Sequence, residues 1–226
     1  MSPAELPPDA RREFYSLFRQ GNLFLWQQRE RALLRALRWA GVDRAGLERL
    51  RILEVGCGAA GLLPQLVAYG ASPELMAGVD TDRERIREAL RRYPAIAFEV
   101  ADATALPVRD ARFDIVIQST LFTSLLEPTV RARAAAEMVR ALSPCGFILW
   151  FDFRYDSPSN PRVRGVPRRE IERDLFPRSS ARFFTTMLVP PLARVLVPVA
   201  PALASALSLI PPLRTHYCAV IRPARL

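Results

Sequence analysis

The chain has no lysine. All 32 of its basic residues are arginine, set against 23 acidic residues for a net charge of +9. They fall singly or in pairs along helical stretches and never gather into the tract that a nucleic-acid or polybasic membrane tail requires. The surplus therefore reads as solvated helix faces, and nucleic acid is not an expected partner. Cysteine is scarce as well. Cys57, Cys145 and Cys218 are too few and too far apart for a disulfide framework or a zinc site, so no metal is expected and a reducing cytoplasm fits. The first thirty residues mix Pro, Asp, Glu and Arg with aromatics. They lack the charged start and apolar run of a secretory signal, which argues against export by that route. No internal repeat is visible.

What is present suits one globular core. At 226 residues, half of them hydrophobic, the chain fits a single α/β domain with additions at its ends. Residues 1–44 read as a helical cap and 45–226 as the domain it folds with. Residues 1 to 8 are Pro-rich and read as loose. Then Phe14, Leu17, Phe18, Leu23, Trp26, Leu33 and Leu37 recur at helical spacing, with Asn22 placed to cap the second helix and Gly41 to end it. From residue 51 short apolar runs alternate with charged helical stretches, the signature of βα units around a parallel sheet. Strands are expected near 51–55, 75–80, 96–101, 113–118 and 146–153, and two more near 181–188 and 215–222. Helices are expected near 60–69, 82–92, 128–142 and 167–175.

The strongest local signal is Arg51-Ile-Leu-Glu-Val-Gly-Cys-Gly-Ala-Ala-Gly61, an apolar strand entering a glycine turn and then a helix. Gly56 and Gly58 permit a sharp turn and close approach of a ligand to the backbone, including that of Cys57 between them. Gly56, Gly58 and Gly61 also satisfy G-x-G-x-x-G, so the turn alone does not separate a dinucleotide from S-adenosyl-L-methionine (SAM). Glu54 begins to do so: a carboxylate just before the turn repels a pyrophosphate and attracts an ammonium, although it can equally cap the loop. Asp80 ends the second strand, 24 residues after Gly56, where a carboxylate can accept two ribose hydroxyls. Asp102 ends the third strand in Ala101-Asp-Ala-Thr-Ala-Leu-Pro107. There its side chain can accept from an adenine amino group, with the Ala103 amide beside it.

In this order ILEVGCG, the acid of GVD80, ADATALP, FDIVIQ and LSPCGF give the sequence a resemblance to the class I SAM-dependent methyltransferase family from about residue 45 to 153. A weaker likeness to a bacterial subgroup found beside glycan and lipid biosynthesis enzymes rests on STLFTSLL, WFDFRYDSPSNP and PPLRTHY. The resemblance implies a Rossmann-like seven-stranded sheet with helices on both faces and SAM as cofactor. It implies Glu54, Gly56, Cys57 and Gly58 around the methionyl part, Asp80 on the ribose, Asp102 and Ala103 at the adenine, and Gln118 beside the sulfonium. Ala60 stands where the family usually has glycine and is expected in a first helical turn, where alanine is tolerated. Cys145 replaces a glycine in a later turn.

Methyl transfer from a sulfonium is an in-line displacement that depends on alignment and exclusion of water. A hydroxyl acceptor would gain from a base, and Asp152 and His216 are the candidates. Each has a structural alternative, Asp152 as a loop pin and His216 as a hydrogen-bonded residue of the last strand. Tyr15, Phe18 and Trp26 form a possible aromatic lid or plain core. Residues 188–213 carry six prolines and one charge, Arg194. The prolines interrupt any spanning helix, and this apolar insertion before the last strand is expected to line the acceptor pocket. A small-molecule or lipid- or glycan-linked acceptor follows, with peripheral membrane contact of a cytoplasmic protein as an extension and the oligomeric state left open. Two other readings remain, a SAM-binding or partner-binding domain without catalysis and an NAD(P)-binding oxidoreductase. The second lacks any lysine for a Tyr-x-x-x-Lys pair.

The discriminating prediction is that calorimetry finds SAM bound at low-micromolar or tighter affinity and no binding of NAD or NADP. Asp80→Ala is expected to weaken SAM by about 1.5–3 kcal/mol. Tight NAD binding with none for SAM would overturn the reading.

Overall fold

A computed structural model describes residues 7–158, 160 and 162–224; of the loose start expected over residues 1–8, residues 1–6 lie outside it, and Pro8 already opens a helix. Seven strands form one mixed sheet: β1 (Ile52–Val55), β2 (Met76–Asp80), β3 (Ala97–Val100), β4 (Phe113–Ser119), β5 (Leu142–Phe153), β6 (Ser180–Leu188) and β7 (Arg214–Arg222). Their order is β3-β2-β1-β4-β5-β7-β6. The first five run parallel, and β7 pairs antiparallel with both β5 and β6. The expected α/β, Rossmann-like seven-stranded sheet is what the chain forms. Helices α1 (Pro8–Phe14), α2 (Gln20–Trp39) and α3 (Arg44–Leu47) precede β1, and α4 (Leu63–Tyr69), α5 (Arg83–Arg92) and α6 (Pro128–Ala141) connect the parallel strands. α7 (Arg168–Glu170) precedes β6, and α8 (Pro190–Leu196) and α9 (Pro201–Leu207) lie between β6 and β7.

The alternation of side chains along each strand divides the core into two faces. Ile52, Ile115, Ile117, Leu149, Phe151, Cys218 and Val220 pack against Leu33, Ala36 and Leu37 of α2 and Leu63 and Leu66 of α4. Their neighbours Leu53, Val55, Val116, Ile148, Trp150, Ala219 and Ile221 pack against Ala134, Ala135 and Met138 of α6 and against Ile171 and Phe176. All four residues of β1 are buried, as a strand covered on both faces must be. This parity sends Glu54 and His216 to the α2 face and Gln118 and Asp152 to the α6 face.

Several boundaries differ from expectation for local reasons. Helix α2 ends where Gly41 takes φ +83° and the Val42 amide donates to the Leu37 carbonyl at 3.0 Å. Its N-cap is Arg19, not Asn22. Asn22 lies one turn inside, and its amide donates to the Phe14 and Ser16 carbonyls at 2.7 and 3.0 Å, tying α1 to α2. Helix α4 starts at Leu63 because Ala60 and Gly61 take φ +95° and +42°. Ala60 is therefore in the turn, in a conformation that favours glycine, and not in a helical first turn. Strand β5 begins at Leu142, which pairs with Phe113 across a register irregularity, so the expected turn at 142–147 is already in the sheet. The helix expected at 167–175 is α7 running into a π-helical turn, Ile171–Leu175.

Residues 190–213 form the helical hairpin α8–α9 and a final 3₁₀ turn, Pro211–Leu213, each opened by a proline. Ala193, Val197 and Ala204 pack inward with Leu25 and Leu188, while Val195, Val199, Leu203, Leu209 and Ile210 remain exposed. Among the described residues no helix is long and apolar enough to cross a membrane. Helices α2 and α8 touch at Gly21, where an added Cβ would stand 2.5 Å from Arg194 Cα.

The α6 face is braced by Arg131, whose side chain has no exposed surface. Its guanidinium donates to the Leu125 carbonyl at 2.6 Å, the Arg164 carbonyl at 2.9 Å and Glu170 Oε1 at 2.6 Å, joining the loops after β4 and β5. Removing one member of a buried ion pair leaves its partner uncompensated. Arg131→Met should therefore cost about 3–5 kcal/mol in urea unfolding, and Arg131→Met with Glu170→Leu should recover part of the loss.

Candidate active site

The C-terminal ends of β1, β2 and β3 each carry a carboxylate, and the three are held differently. Glu54 has no exposed surface. Its Oε1 and Oε2 accept from the Leu62 amide at 3.0 and 2.9 Å, and Oε2 accepts from Leu63 at 3.3 Å. It therefore caps the turn between β1 and α4, and burial pushes its pKa up to about 8 against those amides. Asp80 Oδ2 accepts from the Gly58 amide at 2.8 Å and Oδ1 from Asp82 at 2.9 Å, fixing the glycine turn to the end of β2. Asp102, exposed, accepts from the Thr104 amide at 2.7 Å and its hydroxyl at 2.8 Å. These bonds hold its carboxyl below the usual range. Ala103 next to it is buried in the α6-side core.

Between them the backbone turns at Gly56 and Gly58, with φ +72° and +53°. The Gly56 and Cys57 amides donate to the Val79 carbonyl at 2.8 and 3.0 Å. Above Gly58 the Arg85 side chain comes near, at 3.7 Å from an added Cβ, whereas Leu121 would lie 2.9 Å from a Cβ on Gly56. The Cys57 thiol is buried, which pushes its pKa up, and is inert by that measure. Gln118 is fully buried at the end of β4; its Oε1 accepts from Leu121 at 3.1 Å and its Nε2 donates to the Phe151 carbonyl at 3.5 Å.

Next to this edge, on the α2 face, lies a cavity of about 950 Å³. Its floor is Phe151, Phe153 and His216, one wall is Leu25, Trp26 and Arg29 of α2, and Met187, Val189, Pro190 and Val195 form the other. Ser119 and Thr120, at the tip of β4, line it, and β4 lies beside β1 with Gln118 opposite Val55; Glu54, Gly56, Gly58, Asp80 and Asp102 do not line it. Tyr15 and Trp26 line it, but Phe18 is fully exposed and takes no part in a lid. Residues Val189 to Val195 bring the start of the apolar insertion onto this cavity; the outer residues of α9 face away from it.

The two candidate bases are not brought together. His216 borders the cavity, stacked with Phe151 at 5.1 Å and against Phe153 at 3.9 Å, with Nδ1 2.9 Å from the Thr215 hydroxyl. Asp152 faces the α6 side. Its Oδ1 accepts from the Thr123 hydroxyl and the Phe153 amide, each at 2.8 Å, and its Oδ2 from the Thr123 amide at 3.3 Å. Asp152 thus pins the loop after β4, and burial pushes its pKa up to about 6. Thr123 and Arg29 were not singled out in the sequence: neither belongs to a motif, and only the pairing of distant segments gives them a role.

Residues 52–146 match the family profile of a methyltransferase domain. A phthiotriol/phenolphthiotriol dimycocerosates methyltransferase of Mycobacterium ulcerans is 37% identical over 131 residues, which are 54% of this chain and 46% of that protein. A fatty-acid O-methyltransferase of Mycolicibacterium smegmatis is 34% identical over 124 residues, 53% of this chain and 44% of that protein. The chain thus spans under half the length of these curated relatives. A solved SAM-dependent methyltransferase from Mesorhizobium loti superposes with a TM-score of 0.60 at 19% identity, over 84% of this chain and 98% of that one, a likeness of fold.

The cavity floor carries a testable electrostatic cost. Burial, reinforced by the nearby Arg29 cation, holds the His216 imidazole neutral, its pKa pushed from 6.5 down to about 3. Between those values the unfolded chain binds the extra proton, so stability falls as pH falls through that window. His216→Phe keeps the ring packing and cannot be protonated. In urea titrations at about pH 7 and about pH 4 the variant's stability relative to the parent should improve at the lower pH; an unchanged difference would show that the ring takes up a proton as readily in the fold as in the unfolded chain.

Proposed function

We propose that this chain, which carries a class I SAM-dependent methyltransferase domain, transfers the methyl group of SAM to an apolar, lipid-class acceptor. The observation that carries the reading is the adjacency of an apolar cavity of about 950 Å³ to a glycine turn bordered by three carboxylates. That donor set suits a cationic, hydroxyl-bearing nucleoside and repels a pyrophosphate. The volume lies in the upper part of the range for small-molecule sites, about 300–1,000 Å³.

In this reading bound SAM supplies a methyl group activated on a sulfonium, which leaves as a neutral thioether. Glu54 holds the ammonium. It is a buried carboxylate with no salt-bridge partner among the described residues, and an adjacent cation offsets the cost that pushes its pKa up. Its two amide bonds to the turn leave acceptor capacity, since a carboxylate has roughly four lone-pair sites. Asp80 holds the ribose hydroxyls, Asp102 and the Ala103 amide meet the adenine, and Gly56, Cys57 and Gly58 bring bare backbone alongside. Gln118, locked by Leu121 and Phe151, shapes the wall near the sulfonium. Asp152 and His216 act on position rather than on a proton. Asp152 holds the loop after β4, and His216 stays neutral beneath the acceptor. Ordering of both partners and exclusion of water supply the rate.

The lipid class is supported by the apolar lining and by the relatives named for dimycocerosate and fatty-acid methylation. Exposed Val195, Val199, Leu203 and Leu209 on one hairpin form a surface that is costly in water. In this reading it rests on a membrane and admits the acceptor, as a peripheral contact of a cytoplasmic protein.

Incubation with methyl-labelled SAM and a lipid extract should move label into an organic-soluble product, which also separates an enzyme from a non-catalytic SAM-binding domain. Val199→Ser and Leu203→Ser should weaken liposome binding and raise the acceptor KM several-fold while sparing SAM affinity. A small hydrophilic product, or loss of stability in both variants with unchanged acceptor handling, would overturn the proposal.

A further inference from the structure

Two cations line the cavity, and they are differently engaged. Arg194 donates its Nε to Asn22 Oδ1 at 2.9 Å, and its guanidinium lies over the rings of Phe14 at 4.5 Å and Tyr15 at 5.5 Å. Arg29 donates no hydrogen bond to any described residue. Its Nε is buried without a partner. The neighbouring Glu30 pairs with it through charge alone, Oε1 standing 3.8 Å from Nε, beyond hydrogen-bond range, while Glu30 Oε2 accepts from the Tyr69 hydroxyl. Arginine stays charged even where burial lowers its pKa. A largely desolvated guanidinium with open donors is thus placed on the wall of an apolar cavity, where a planar two-oxygen anion suits its fork.

Among the described residues lining the same cavity, His216 and Asp156 are the imidazole and the carboxylate that an acceptor could meet. His216 is held neutral, with a pKa near 3, between two aromatic rings. Asp156, the one carboxylate on the rim, accepts from the Gly165 amide at 2.9 Å, and Asp152 faces the other side of the sheet. An alcohol attacking a methyl group must lose a proton. A carboxylic acid is already ionised near neutral pH.

We infer that the methyl acceptor is the carboxylate of an apolar acid, its ionised head held by Arg29 and its hydrocarbon body by the cavity. This rests on the methyltransferase reading above and names its substrate class. A carboxylate oxygen donates an electron pair to form the O–CH₃ bond while the C–S bond breaks, its pair going to sulfur. An anion and a sulfonium become a neutral methyl ester and a neutral thioether, with no proton transferred. The ester has no charge for Arg29 to hold, which favours its release.

The test compares hexadecanoate with hexadecan-1-ol as acceptors for methyl-labelled SAM. It also measures equilibrium binding of hexadecanoate and of SAM to the parent, Arg29→Gln and Arg29→Lys. The parent is expected to form methyl hexadecanoate and to leave the alcohol unmodified. Arg29→Gln should raise the KM and the Kd for hexadecanoate by about tenfold or more and leave the SAM Kd within about twofold. Arg29→Lys, which keeps the charge without the fork, should fall between. Methylation of the alcohol in preference to the acid, or turnover of neither, overturns the inference. So does a loss of SAM binding in Arg29→Gln with hexadecanoate binding unchanged, since Arg29 would then serve the cofactor's own carboxylate. A parent protein that binds no SAM overturns the methyltransferase reading itself, a failure distinct from the others.

Discussion

The carboxylate of Glu54 is taken wholly out of water at the end of β1 and accepts the amides of Leu62 and Leu63. Burying that group without such partners would be costly, so the chain between β1 and α4 must curl back over it. The curl needs Gly61, where an added Cβ would stand 2.2 Å from Glu54 Oε1, and it holds Ala60 in a conformation unusual for alanine. The turn through Gly56 and Gly58 is then fixed from both sides, by Glu54 beneath α4 and by Asp80, which takes the Gly58 amide. The form of the carboxylate-lined edge follows from this one buried acid.

The two faces of the sheet divide the labour. On the α6 face nearly every buried polar group is spent on holding loops: Arg131 on Leu125, Arg164 and Glu170, Asp152 on Thr123, Gln118 on Leu121. Those loops lie above the tips of β4 and β5 and set the rim of the site. On the α2 face the floor is aromatic and neutral, and the Arg29 guanidinium there has no hydrogen bond to a described residue.

The hairpin α8–α9 belongs to the second face. Its inner side is made of small residues that pack closely on α2, with Gly21 allowing the backbone of Arg194 to approach. Arg194 reaches Asn22, which in turn holds the end of α1. The elbow α1–α2 and the apolar insertion, about 170 residues apart in the chain, are therefore one unit around the cavity mouth.

Much of the fold is legible in the sequence because its determinants are local or periodic. Continuous apolar runs mark the parallel strands, the glycine turn follows from ILEVGCG, and Gly41 ends α2 through a conformation that other residues adopt at a cost. The spacing of Glu54, Asp80 and Asp102 along successive strand ends is enough to bring them to one edge, since parallel strands align their C-terminal ends. What each side chain does there is another matter. Asn22 has the composition of a cap and instead ties two helices together. Asp152 and His216 sit on adjacent strands as candidate bases, yet strand parity points them to opposite faces, and Asp152 finds Thr123 across the sheet. Arg29 is one of 32 arginines with nothing to distinguish it in sequence. Only tertiary packing decides which of them loses water without gaining a hydrogen bond, because desolvation depends on what surrounds a group in the fold.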